Sequence, residues 1–325
     1  SRIEKRIGFV FSRVGMLYWC VLVASGLMIV SAHHQDFADE LRRMFDPGMW
    51  LLLLGIWAAS KVIHEIGHAV AARYHDVQVG KMGIMFFFLA PLAFVDVTDA
   101  WKLKSRWSRV QIALAGIYLE LAVAAIAAWA WWLLPDGYAR HLAAQCFLIA
   151  GPATLLVNAN PLLRLDGYYI VSDLAEIPNL RMHGRNQLAG LLEQLLLKTD
   201  PPRPLLSGWR RKFATVHAAC SVLFQIVWMG GLIIGVSIWA RGLGIILAIA
   251  AILLWAVLPL SRWTMKVWSS EPPERWYLNA KRKRLLCYAT LLLMVGQYLC
   301  VSHSPFSRRV PVVIRFQDEQ IARAT

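Results

Sequence analysis

The 325-residue chain is short of charge: 17% of its residues are Asp, Glu, Lys or Arg, whereas 58% are hydrophobic. A soluble domain carries about a quarter charged residues and about half apolar ones, so this balance excludes an ordinary soluble domain and points to a polytopic membrane protein. Cysteine is scarce as well. Cys20, Cys146, Cys220, Cys287 and Cys300 all lie in apolar runs and none has C-x-x-C spacing, which excludes a disulfide framework or a cysteine metal site and leaves packing roles. No internal repeat and no low-complexity tract occurs. No small-residue cleavage pattern follows the first apolar run, which reads as an anchor helix rather than a removed signal peptide. The formal charge of +14 could suggest nucleic acid, but the basic residues mark the ends of apolar segments. The expected partner is therefore the lipid bilayer, with no nucleic acid.

Seven apolar runs approach or exceed the roughly 20 residues needed to cross a hydrocarbon core, at 14–32, 49–73, 110–134, 142–160, 214–238, 243–261 and 285–301. The expected fold is an all-α polytopic membrane protein of about seven transmembrane helices. Between the second and third runs, Gly80, Gly83 and Pro91 interrupt a stretch containing Phe86, Phe87 and Phe88. That stretch reads as a short re-entrant extended or β segment. With the N-terminus inside, the inside segments hold 24 Lys and Arg residues and the outside segments eight. The excess predicts a multi-pass protein of the cell's inner membrane, with a cytoplasmic N-terminus and an extracytoplasmic C-terminus. Residues 1–301 then form a membrane-embedded domain. Residues 302–325 form a strand-like outside tail that could begin an adaptor-like domain.

The second run carries chemistry. His64-Glu65-Ile66-Gly67-His68 places two imidazoles at i and i+4, one turn apart on one helix face, with a carboxylate between them. This H-E-x-x-H pattern suits one Zn²⁺ held by His64 and His68, with Glu65 as general base towards a water. Ionisable groups inside a membrane segment are costly and mark function by default. A catalytic zinc needs a third protein ligand and one position left for water. Asp166 is the strongest candidate. It follows the fourth run, beyond Pro161 and beside Gly167, where an inward-running helix would deliver it to the depth of the two histidines.

H-E-I-G-H in one apolar helix, together with N-x-x-P-x-x-x-x-D-G at 158–167, resembles the site-2 protease family of intramembrane zinc metalloproteases. The resemblance covers about residues 49–170. It implies zinc ligands His64, His68 and Asp166, catalytic Glu65, and Asn158 or the adjacent Asn160 as a residue that contacts substrate or orients the site. Residues 160–169, N-P-L-L-R-L-D-G-Y-Y, are similar to a bacterial subgroup that continues into an HlyD-like extension, and 310–314 could begin one. One departure stands out. Where many members have A-G-P-x-x-N, this chain has Ala115-Gly116-Ile117-Tyr118-Leu119-Glu120, with Glu120 in place of the asparagine.

The implied function is a zinc metalloendopeptidase acting on a membrane-anchored protein or peptide, with residues 79–97 as an edge strand for the unwound substrate. An alternative is the membrane base of an export apparatus with an adaptor partner and a structural or vestigial zinc site. A third is a zinc transporter that uses Glu120 and His217 along a path. His33, His34 and Asp36 are expected in a solvated outer loop and His75 at the interface. Trp50, Trp131, Trp132, Trp239, Trp263 and Trp268 read as interface belts. Residues 182–199 suit an amphipathic helix.

Overall fold

The computed structural model describes residues 9–43, 47–87, 90–197 and 205–239, together with shorter helical stretches between 246 and 297. The chain divides into two compact units. The first, Ser1–Ala189 with Arg203–Gly230, contains every residue of the site described below. Its elements, in chain order, are α1 (Arg13–Ala32), α2 (His34–Arg43), α3 (Trp50–Tyr74), β1 (Met82–Phe87), β2 (Ala90–Val95), α4 (Arg106–Leu133), α5 (Tyr138–Leu148), α6 (Thr154–Val157), α7 (Asp166–Leu174), α8 (Leu180–Leu197) and α9 (Gly208–Trp239). Helix α8 belongs to this unit as far as Ala189 and α9 as far as Gly230. The second unit is Gly190–Pro202 with Gly231–Thr325, and its described residues include a π turn at Leu253–Val257.

Among the described residues, five segments are long and apolar enough to cross a membrane: α1, α3, α4, the composite Tyr138–Val157 and Gly208–Val236. The sixth and seventh expected runs, 243–261 and 285–301, fall partly outside the described residues, and 302–325 wholly so.

Helix α4 is the central post. Its start is capped by Ser105, whose Oγ accepts the Ser108 N–H at 3.3 Å, and it packs against α1, α3, α5 and α7. Hydrophobicity does not drive helix association within lipid, so close approach between small residues does the work. Ala115, Gly116, Ala124, Ala125, Ala127 and Ala128 are all buried along α4. A Cβ on Gly26 of α1 would lie 2.9 Å from the Cα of Ala125. A second cluster seats Trp131 fully buried, edge-on to Phe37 with ring centroids 5.0 Å apart, and Arg140 lies over its ring at 5.0 Å. Trp131 is thus a core residue and not part of an interface belt, whereas Trp132 and Trp50 are exposed.

Two local expectations are corrected. Residues 34–43 form helix α2, where a solvated loop was expected. His33 precedes it, with Nδ1 3.0 Å from the Ile29 carbonyl. The fourth run is not one helix through 160. It passes from α5 through a π turn at Ile149–Ala153, which accommodates Pro152 inside the helix, and α6 ends at Val157, before Pro161 is reached. Asp166 follows this segment, as expected, and opens α7. There the carboxylate meets the positive end of the helix dipole, an arrangement that is favourable.

The extended segment is an antiparallel hairpin with register Met82↔Val95 through Phe87↔Ala90. The strand β2 packs on α3, while Met82, Ile84, Met85 and Phe86 of β1 are exposed. Helix α3 stops just before the hairpin at Asp76, which takes φ 56°. The Val77 N–H then returns to the Ala72 carbonyl at 2.9 Å, satisfying a terminal acceptor.

Candidate metal centre

His64 and His68 lie on the buried face of α3, with ring centroids 4.7 Å apart and Nε2 atoms 3.1 Å apart. Asp166 is brought to them by the loop after α6. Its Oδ2 is 2.8 Å from His64 Nε2 and its Oδ1 is 3.5 Å from His68 Nε2. Among the described residues these three form the one group whose ligand atoms could share an ion, all lying within 4.8 Å of one another. The loop is held from two sides. Gly167 N–H donates to the Asn158 carbonyl at 2.7 Å, and His217 of α9 bonds the Pro161 carbonyl through Nε2 at 3.0 Å. His217 therefore serves the loop, and His75 bonds Gln111 at 2.8 Å near the end of α3.

The outer nitrogens of the two imidazoles settle which atoms face inward. His64 Nδ1 lies 2.8 Å from Glu120 Oε2, and an ionised carboxylate only accepts, so Nδ1 carries the proton. His68 Nδ1 lies 2.8 Å from the Ile112 carbonyl, again an acceptor. Both rings thus present bare Nε2 lone pairs to the Asp166 carboxylate. Two neutral imidazoles and a carboxylate form a donor set suited to zinc, as in catalytic sites with two histidines and one acidic ligand. Charge leads to the same conclusion. Glu65, Glu120 and Asp166 against Lys61 leave the centre two negative charges in excess, which a dication balances.

Glu65 faces a cavity of about 430 Å³ that His68, Asp166, Val95, Trp101 and Tyr169 also line. Its Oε2 accepts the backbone N–H of Val95 at 2.9 Å. The candidate base is thereby tied to β2, and Oε1 remains for a proton. Of the two asparagines, Asn158 turns inward, with Nδ2 3.4 Å from Glu120 Oε2. Asn160 turns back on its own loop and accepts the Leu162 N–H at 2.9 Å, so Asn158 touches the cluster directly and Asn160 only shapes the turn.

Close packing of α3 on α4 makes this geometry possible. A Cβ at Gly67 would lie 2.5 Å from the Ala115 carbonyl oxygen, and one at Gly116 would lie 2.5 Å from His64 Cε1 and Nε2. The sequence contained signals for Glu120 and Lys61 as ionisable groups in apolar helices. It contained none for Ser60, Thr154, Val95 N–H or the Ile112 carbonyl, which reach the site only through tertiary packing.

No solved structure matches the chain. The model of Peptidase family M50, the site-2 protease family, matches residues 51–251. That span takes in the two histidines, both acidic partners and the hairpin, and the chain belongs to this family of metalloproteases.

Proposed function

We propose that this protein is an intramembrane zinc endopeptidase that hydrolyses a peptide bond of a membrane-anchored protein or peptide, with His64, His68 and Asp166 as the metal ligands and Glu65 as the general base. The observation that carries the reading is the placement of Glu65. It projects into an open cavity beside three converging ligand atoms, with one carboxylate oxygen fixed by Val95 and the other available. A purely structural metal site would have no use for such a carboxylate.

When bound, zinc supplies Lewis-acid polarisation of the scissile carbonyl and lowers the pKa of a water to about 7. Glu65 takes a proton from the attacking water as its oxygen bonds to the carbonyl carbon. The same carboxyl then gives that proton to the amide nitrogen as the C–N bond breaks, and the acid and amine so released exchange a proton to leave as carboxylate and ammonium. Asn158 and Glu120 hold the floor of the site.

A helical substrate has its scissile amide hydrogen-bonded and shielded, so it must unwind first. Backbone polar groups freed within a membrane need new partners, and β2 offers them. In an antiparallel ladder alternate residues point their N–H and C=O groups away from the partner strand. Val95 N–H points to Glu65, so Ala93 shares that outward side, and Pro91, which has no N–H to leave unpaired, stands where the next donor would be. The exposed apolar residues of β1 suit lipid contact. The lysine and arginine asymmetry supports a site towards the cytoplasmic face of the inner membrane.

Zinc stoichiometry and cleavage of a membrane-anchored model substrate test the reading together. One zinc per chain is expected in the wild type and in Glu65→Gln, with cleavage in the wild type alone. Full zinc occupancy in the His64→Ala/His68→Ala double variant would sink the ligand assignment. A cut mapped far outside any apolar segment would sink the intramembrane reading.

A further inference from the structure

Glu120 is fully buried at the middle of α4, yet its carboxylate has five donors around it. Oε1 accepts from Ser60 Oγ at 2.6 Å and Lys61 Nζ at 2.8 Å. Oε2 receives Thr154 Oγ1 at 2.6 Å, His64 Nδ1 at 2.8 Å and Asn158 Nδ2 at 3.4 Å. These donors come from α3, α6 and the residue following α6. A carboxylate in an apolar segment is costly unless paired and hydrogen-bonded, and so many converging partners mark a built site.

We propose that Glu120 is the positioning residue of this centre. It holds the His64 proton on Nδ1, fixes the ring plane and makes Nε2 a stronger donor, while Lys61 moderates the negative charge that Glu120 adds. The assignment rests on His64, His68 and Asp166 being the metal ligands. Three consequences follow from the geometry. The Glu120–His64 contact restricts His64 to one tautomer, because the carboxylate offers no hydrogen to Nδ1. The contact also couples the ligand to α6 through Thr154 and to Asn158, so the helix leading to the Asp166 loop and the helix bearing both histidines share one anchor. Finally, Lys61 and Glu120 have opposite effects on a dication. The anion attracts it through His64, and the ammonium 2.8 Å from Oε1 opposes it.

The opposite signs make the test. The zinc dissociation constant of the full chain in detergent is measured by competition with a chelator. Glu120→Gln keeps the shape and removes the charge, and it is expected to weaken zinc binding roughly 10–100-fold, as loss of a carboxylate behind a ligating histidine does. Lys61→Gln removes the opposing cation and is expected to tighten zinc binding several-fold. A merely structural role for the cluster would weaken both variants together with their thermal stability.

Wild-type zinc affinity in Glu120→Gln would overturn the proposal, as would weaker binding in a folded Lys61→Gln. Should Glu120→Gln fail to fold, the direction of the Lys61→Gln change decides alone. The His64→Ala/His68→Ala variant separates the ligand assignment from the role of Glu120. If it binds zinc as the wild type does, the ligand assignment fails. If it loses zinc while Glu120→Gln keeps it, the role of Glu120 alone fails.

Discussion

The backbone N–H of Val95 donates to Glu65 Oε2 at 2.9 Å, so the last residue of the hairpin's inner strand grips the candidate base of a helix thirty positions earlier in the chain. This single bond connects the strand that would receive a substrate to the group that would move its proton. Val95→Pro deletes the donor. It should leave the ladder to β1 intact, because this N–H points away from β1 just as Pro91 lacks one on the same side. A hydrogen bond to a charged group is worth about 1.5–3 kcal/mol, so kcat should fall roughly 10–100-fold. Zinc content should stay at the wild-type level. Unchanged kcat in the folded, zinc-loaded variant would show that Glu65 is positioned without the strand.

Gly116→Ala probes the tightness of the α3–α4 contact. The added methyl would lie 2.5 Å from two atoms of the His64 ring, and a neighbour at that distance must move. The ring is the movable partner, since the helices are locked by Gly67 against the Ala115 carbonyl. Overpacking costs typically about 1–3 kcal/mol. The expected result is a folded protein with displaced His64 and weaker zinc binding, read by chelator competition beside helical content. Gly116→Ala with wild-type zinc affinity would mean that α4 can shift away as a whole.

The histidine pair was legible in the sequence because it is local: H-E-x-x-H needs only the helical repeat, and α3 runs unbroken from Trp50 to Tyr74. Asp166 was legible as a residue but not in its setting. Pro152, not Pro161, sits where the fourth segment changes its winding, and the turn between α6 and α7 moves the carboxylate to a helix start. The two asparagines were indistinguishable by spacing; their side chains part company because Asn160 precedes Pro161 and closes a turn on Leu162. Glu120 was visible as a departure, but its five donors lie 34 to 60 positions away, beyond any periodicity argument. The hairpin register also depends on packing, since Gly80, Gly83 and Pro91 exclude a helix without choosing a partner strand.

His217 should matter although it is not a ligand. It bonds the carbonyl of Pro161 at 3.0 Å, and its ring is buried. His217→Leu leaves that carbonyl without its donor, at a cost of about 1–3 kcal/mol when the acceptor stays buried. The lost bond loosens the loop between Asn158 and Asp166. Faster zinc release by the chelator, with the helices retained, is the expected outcome. Release at the wild-type rate would assign the holding of the loop to Gly167 and Asn158 alone.

The Arg109–Asp173 pair braces the other side of Asp166. Arg109 Nε lies 2.6 Å from Asp173 Oδ1, and Nη1 donates to the Leu103 carbonyl at 2.7 Å. The pair ties the start of α4, and the chain that leads out of the hairpin, to the helix that Asp166 opens. Both side chains are under one-fifth exposed, so the pair is less screened than a surface ion pair, which is worth about 0–1 kcal/mol. Asp173→Asn keeps a hydrogen bond and loses the charge, whereas Asp173→Ala leaves Arg109 without its anion. Thermal unfolding in detergent should rank wild type above Asp173→Asn above Asp173→Ala. The spread should be about 1–3 kcal/mol, the range for a hydrogen bond to a charged group. Equal stability of all three would show that α7 is held by its buried face, Tyr168 and Ser172, without the ion pair.

The direction of the chain across the membrane decides which compartment the cavity opens to, and it can be read by labelling. Three-quarters of the Lys and Arg residues outside α3 fall in segments that an inside N-terminus would leave in the cytoplasm. Seven crossings from such a start would put Ser304 on the far side. In a variant whose native cysteines are replaced, a cysteine at Ser304 should react with a membrane-impermeant thiol reagent once the outer membrane alone is permeable. One at Lys104, between the hairpin and α4, should react only after the inner membrane is opened. The two positions are separated by an odd number of expected crossings, so they must differ. If both label from the same side, the seven-helix topology is wrong. If Lys104 labels from outside, the cavity that holds Glu65 opens away from the cytoplasm and the proposed depth of Asp166 fails with it.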